Sequence, residues 1–157
     1  TIALDKTGTL TAGQPSIAAF ILAPNTPFDS ATLIAFAAAA ERLSTHPLAK
    51  AVVAFNTQRT ATIPIAEDLE VLPGTGLTAT LYDYKPRPDQ PQPGGRKLAL
   101  GNASLLTEPL PPELATPTDL AHATPLYLLL DGHLHAVFFA VDALRPTASA
   151  AIAELHA

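Results

Sequence analysis

The chain has 157 residues, of which 48% are apolar and 15% charged, and its net charge is −5. This composition builds a globular core rather than a disordered tail, and without a basic patch it argues against nucleic acid or an anionic membrane surface as partner. There is no cysteine, which excludes disulfides and thiolate metal sites. The longest apolar runs, Leu33 to Ala40 and Leu126 to Leu130, fall far short of the roughly 18 residues a membrane helix requires.

The first element is Ile2-Ala3-Leu4, read as a buried strand that delivers Asp5 to the rim of a sheet, where α/β folds place their ligand sites. An aspartate carboxylate there can attack the terminal phosphorus of a nucleotide and hold the phosphoryl group as an acyl phosphate. Lys6 adds a compact positive charge, and Thr7-Gly8-Thr9 offers backbone N–H groups and hydroxyls to phosphate oxygens. Thr11-Ala12-Gly13-Gln14-Pro15 is a breaker cluster expected to act as a hinge, and Ser16 to Ala23 a strand. Asp29 or Ser30 can cap a helix whose apolar positions are Leu33, Ile34, Phe36, Ala37, Ala40 and Leu43. A second helix starts at Pro47, with His46 at its entrance. That imidazole can stack on or hydrogen-bond a base, or simply cap the turn.

Residues 59–65 form a polar connection to a strand over Glu67 to Leu72, which leads into Pro73-Gly74-Thr75-Gly76. Two glycines so spaced let the backbone approach a flat base or a phosphate, and also suit a plain hairpin turn. Leu77 to Tyr82 and Lys97 to Leu100 should pair antiparallel. Between them, Asp83 to Arg96 carries four prolines and a double glycine and is expected to be a mobile hairpin insertion. Gly101-Asn102 is a strand-to-helix turn with Asn102 as a cap, followed by a surface loop from Pro109 to Pro125 with at most one short helical turn. Leu126 to Leu130, Asp131-Gly132 and Leu134 to Val141 predict a tight hairpin. His133 and His135 share a face of it, where they could touch a metal or form a solvated edge. Asp142 can serve nucleotide and hinge contacts or cap the helix predicted over Thr147 to Leu155.

Asp5-Lys6-Thr7-Gly8-Thr9-Leu10-Thr11 resembles the phosphorylation motif of the P-type cation-transporting ATPases, a branch of the haloacid dehalogenase superfamily. The hydrolases of that superfamily usually carry a second Asp two residues after the nucleophile; Thr7 stands there and cannot act as a carboxylate base, which implies a longer-lived phosphoenzyme. Ser44-Thr45-His46-Pro47-Leu48 resembles the His-Pro signature of the heavy-metal pumps, with Glu41 at the position of a nucleotide-facing Glu. Gly74-Thr75-Gly76 resembles the first part of their G-x-G-x-x-G loop, the third glycine being Ala79, and Gly101-Asn102 resembles the pair that completes their nucleotide pocket. Asp142-Ala143-Leu144-Arg145-Pro146 resembles the return into the phosphorylation domain.

The resemblance implies an α+β fold: an antiparallel sheet flanked by two helices, the nucleotide-binding domain at 13–141, inserted into a truncated α/β haloacid-dehalogenase-like phosphorylation domain at 1–12 and 142–157. It implies Asp5, Lys6 and Thr7 as catalytic residues and Glu41, His46, Gly74, Gly76, Gly101 and Asn102 as the ATP pocket. Mg²⁺ would sit on Asp5 and Thr7, with a further Asp outside this chain. The expected partners are ATP, the rest of the same polypeptide, and a heavy-metal cation held by membrane helices not in this sequence. The chain is thus expected to be an excised cytoplasmic piece of a membrane protein that binds ATP without turning it over. Gly101-Asn102 leans toward copper and Thr45-His46-Pro47 toward zinc, cadmium or cobalt, with copper favoured. No G-x-x-x-x-G-K-[ST] loop occurs, which excludes a P-loop NTPase. The alternatives are a haloacid-dehalogenase-type phosphatase and a nucleotide-binding regulatory module without chemistry.

Overall fold

The computed structural model describes residues 5–57, 63–82 and 95–156. The expected first strand at Ile2 to Leu4, most of the polar connection and residues 83–94 of the expected insertion lie outside them. Within them runs a mostly antiparallel sheet with few helices. Its strands are β1 (Thr11–Leu22), β2 (Ile65–Leu72), β3 (Gly76–Tyr82), β4 (Arg96–Gly101), β5 (Thr124–Leu130) and β6 (His133–Leu144), in the spatial order β1-β6-β5-β4-β3-β2. Each neighbouring pair is antiparallel. The helices are α1 (Ser30–Glu41), α2 (Pro47–Thr57) and α3 (Ala148–His156).

One face of the sheet is covered by α1 and α2. Asp29 is the cap that forms, accepting from the Thr32 N–H at 2.7 Å. Small side chains let α1 sink in until Leu33, Ile34, Ala37 and Ala40 are fully buried against Leu98, Leu128 and Phe138. Burying a phenylalanine such as Phe138 contributes about 2–3 kcal/mol. Helix α1 stops at Glu41, so Leu43, expected to belong to its apolar stripe, stands outside the helix with 83% of its surface exposed.

The other face corrects an expectation. The Pro109 to Pro125 segment is not simply a surface loop: its 3₁₀ turns at Pro112–Leu114 and Thr118–Leu120 carry Leu114 to full burial against Tyr127, Leu129, Val137 and Phe139. The reason lies in β5 and β6, where unbroken apolar runs are buried on both faces and so require a second cover.

The expected breaker cluster at Thr11 to Pro15 is also strand. It forms the start of β1, and the irregularity it encodes is a register jump, from Thr11 opposite Leu144 to Pro15 opposite Asp142, with Gly13 at φ 70°. Pro15 is tolerated because β1 is an edge strand. The predicted hairpin forms with Leu130 paired to His133 and both turn residues at positive φ, Asp131 at 51° and Gly132 at 83°. Strand β6 then continues past Val141 to Leu144, so β1 and β6 run as one ribbon.

His135 is half-buried rather than on a solvated edge. Its Nδ1 lies 2.9 Å from the Thr26 hydroxyl and its ring meets Phe28 edge-on at 5.2 Å. Burial, and then the nearby charges of His133 and Arg96, hold its pKa below the ordinary value, with Asp131 opposing. Among the described residues no helix is long and apolar enough to cross a membrane.

Candidate functional site

Asp5 is exposed and leads into a single π-helical turn, Lys6–Leu10, that turns at Gly8 with φ 80°. The turn is tied to the ribbon by side chains distant in sequence. Gly8 N–H donates to Thr11 Oγ1 at 3.1 Å, so this donor, expected to be open to phosphate, is engaged here. The Thr11 hydroxyl, in turn, donates to Asp142 Oδ2 at 2.5 Å. Asp142 also accepts from Gly13 N–H at 3.2 Å and Gln14 N–H at 3.1 Å, inside the stretch where the register jumps. Asp142 thus braces the ribbon; it lies within β6 and does not take the cap role that the sequence also offered. Arg145 supplies the matching donors, from Nε to Thr11 O at 3.0 Å and from Nη2 to Gly8 O at 2.9 Å. Sequence reasoning gave Arg145 and Thr11 no role of their own, although the Asp-x-x-Arg-Pro spacing was the available signal.

A second group of expected residues lies at the α1–α2 junction. Glu41 ends α1, and its pKa is raised to about 7 because burial disfavours the carboxylate, with a hydrogen bond from Ser44 opposing. Ser44 Oγ accepts from His46 N–H at 3.3 Å, and His46 Nδ1 accepts from Leu48 N–H at 3.2 Å. His46 therefore caps α2, and an accepting Nδ1 puts the proton of the neutral ring on Nε2.

The third group is the turn between β2 and β3. Asn102 donates from Nδ2 to Gly74 O at 2.7 Å and from its backbone to Thr75 O at 2.8 Å, while its Oδ1 accepts from Ser104 N–H at 2.9 Å. Gly76 and Gly101 are cross-strand partners in such close approach that a Cβ on Gly76 would collide with Leu100 O, and one on Gly101 with Thr75 O. Their bareness serves backbone against backbone. Gly74, at φ 73°, has open space where a Cβ would stand. Ala79 is an inward-facing core position of β3, 2% exposed.

The topology brings these groups to one end of the sheet, since β2 and β4 finish there, β3 and β5 begin there, and the β1–β6 ribbon leaves from it. At that end opens a cleft of about 670 Å³, within the size range of small-molecule sites. It is lined by His46 and Leu48 at the start of α2, by Thr11 and Asp142 of the β1–β6 ribbon, and by His122 and Thr124 where β5 begins. Asp5, Glu41, Gly74, Gly76, Gly101 and Asn102 do not line it, and neither does any described lysine or arginine. Among the described residues no three His, Asp or Glu side chains gather as a metal site.

Over residues 1–157 the chain matches the family described as haloacid dehalogenase-like hydrolase. It is 33% identical over 156 residues to the probable copper-transporting ATPase PacS of Synechococcus elongatus, covering 99% of this chain and 20% of that protein. It is 40% identical over 157 residues to a probable cobalt/nickel-exporting P-type ATPase of Mycobacterium tuberculosis, covering 99% of this chain and 22% of that one. A manganese-exporting P-type ATPase of the same organism is 35% identical over 162 residues, with 99% and 21% covered. The chain thus spans about a fifth of the length of these curated relatives. Among solved structures, a zinc-transporting PIB-type ATPase in an E2.Pi state superposes with TM-score 0.65 at 30% identity, covering 96% of this chain and 23% of that one. The N-domain of HMA6, a copper-transporting P-type ATPase, shares the fold with TM-score 0.56 at 23% identity, covering 82% of this chain and 99% of that one.

Proposed function

The chain belongs to the haloacid dehalogenase-like hydrolases, and from that premise we propose that it is the ATP-binding, self-phosphorylating cytoplasmic part of a heavy-metal P-type pump. The observation that carries the reading is the Asp5 to Thr11 loop, fastened to Asp142 and Arg145 beside a cleft that also holds His46. Residues 13–141 are the nucleotide-binding unit, and 1–12 with 142–157 belong to the phosphorylation unit. The β1–β6 ribbon joins the two.

In the reaction an Asp5 carboxylate oxygen attacks the γ-phosphorus of ATP, the bond from that phosphorus to the β–γ bridging oxygen breaks, and ADP leaves. Lys6 and Thr7 stand beside the nucleophile. His46 presents its Nε2–H to the nucleotide while its Nδ1 stays on the α2 cap. Glu41 and the turn of Gly74, Gly76, Gly101 and Asn102 shape the base end of the pocket. Asp5 is exposed and offers the hard oxygen donor that Mg²⁺ prefers, so Asp5 and the Thr7 carbonyl would hold that ion together with a carboxylate from outside this chain. When bound, the ion offsets the charge between carboxylate and phosphate. With Thr7 where hydrolases of this superfamily usually hold an acid, the phosphoenzyme is long-lived, and the chain alone binds ATP without turning it over. The cargo is a heavy-metal cation. Copper remains the expectation from Gly101-Asn102, within a set of relatives whose names also include cobalt, nickel and manganese.

The test is labelling of the full-length protein with γ-labelled ATP. An acid-stable, hydroxylamine-labile label on Asp5, abolished in Asp5→Asn, is the expected result. Rapid loss of the label without any cation dependence would favour a phosphatase instead.

A further inference from the structure

The walls of the cleft present an anion-binding problem. Asp142 brings a carboxylate into it, and no described lysine or arginine lines it. A polyphosphate entering there must still be met by N–H or O–H donors. Thr11 already donates its hydroxyl to Asp142, and His46 has its Nδ1 committed to Leu48, which leaves that ring a single N–H. Among the lining side chains with an N–H to give, that leaves one more: His122. It is exposed, it follows the 3₁₀ turn Thr118–Leu120, and its position is fixed by the Ala123 N–H to Leu120 O bond at 2.8 Å. That loop is itself held by the second core, through the partly buried Leu120 and Ala123 on either side of His122 and Tyr127 beyond them.

We infer that His122 is a second nucleotide-binding residue, which donates a ring N–H to the phosphate chain of ATP across the cleft from His46. The inference rests on the nucleotide reading above and adds a residue to it. It also gives the loop before β5 a task in binding as well as in covering the sheet.

The experiment is calorimetric titration of the purified 157-residue chain with ATP and, separately, with adenosine. His122→Ala should weaken ATP about tenfold, as expected for loss of one hydrogen bond to a charged group, and change adenosine less than twofold. His122→Gln, whose amide retains an N–H donor, should recover most of the ATP affinity. Equal loss for both ligands in His122→Ala, or none for either, overturns the role while leaving the nucleotide reading in place. Failure of the unsubstituted chain to bind ATP at millimolar concentration overturns both. His122 is exposed, so its substitution leaves the fold intact, and an unchanged thermal midpoint would verify this.

Discussion

Two junctions at the same end of the sheet are built on opposite principles. The turn joining β2, β3 and β4 is fixed by sterics: Gly76 and Gly101 press backbone on backbone, and Asn102 bridges to Gly74 and Thr75. The β1–β6 ribbon is fixed by polar side chains, with Asp142 gathering a hydroxyl and two N–H groups while Arg145 spans Thr11 and Gly8. A steric contact has one arrangement. Hydrogen bonds can be exchanged, and Gly8 N–H could leave Thr11 for a phosphate oxygen at the cost of one bond replaced by another. Under the proposed function, the contrast would give the nucleotide a rigid wall and leave an adjustable joint next to Asp5.

The sharpest way to break this contrast is at Gly76. A Cβ there meets backbone that cannot step aside, so Gly76→Ala should cost about 3 kcal/mol in urea unfolding. Gly74→Ala, strained in φ alone, should cost only about 1 kcal/mol. Equal losses would mean that the turn is not fixed by close approach. Next in size is Asp142→Asn, which keeps the shape but removes the charge from three hydrogen bonds and should cost about 2 kcal/mol. Amide exchange should quicken at Gly13 and Gln14 and stay unchanged at Thr75 and Asn102; a change at both junctions would show that they are one cooperative unit.

The smallest effect concerns Glu41, at the end of α1. Its folded-state pKa of about 7 lies above the ordinary 4.5, so the stability linked to it is fully present below about pH 4.5 and is lost as the pH rises to about 7. Glu41→Gln lacks this loss, and the variant should therefore gain on the parent chain across that window. Thermal midpoints of the two proteins that stay parallel from pH 4.5 to 7 would remove burial as the cause.

Much of the framework was legible from local chemistry. Asp29 as a cap, Pro47 at the first position of α2 and Asp131-Gly132 at positive φ are decided by neighbouring residues, and each forms as the sequence implies. The candidate site was legible as a set of short strings, but not as an arrangement. That Gly76 and Gly101 would face each other, and that Thr11 and Asp142 would meet from 131 residues apart, depends on strand pairing that no local window contains. The breaker cluster at Thr11 to Pro15 was misread for the same reason. Its residues weaken a strand when taken alone, whereas Asp142 and Arg145 from the partner strand stabilise the irregular pairing.

What the sequence determined by itself is the local vocabulary: which segments extend, which coil and where most of them turn. Those choices follow from φ preferences, caps and apolar spacing within a few residues. Only the tertiary structure decided that a proline-rich loop would become the second cover of the sheet and carry His122 to the cleft. Burial and cross-strand hydrogen bonding act between residues far apart in the chain, so their outcome is fixed only when the whole sheet closes.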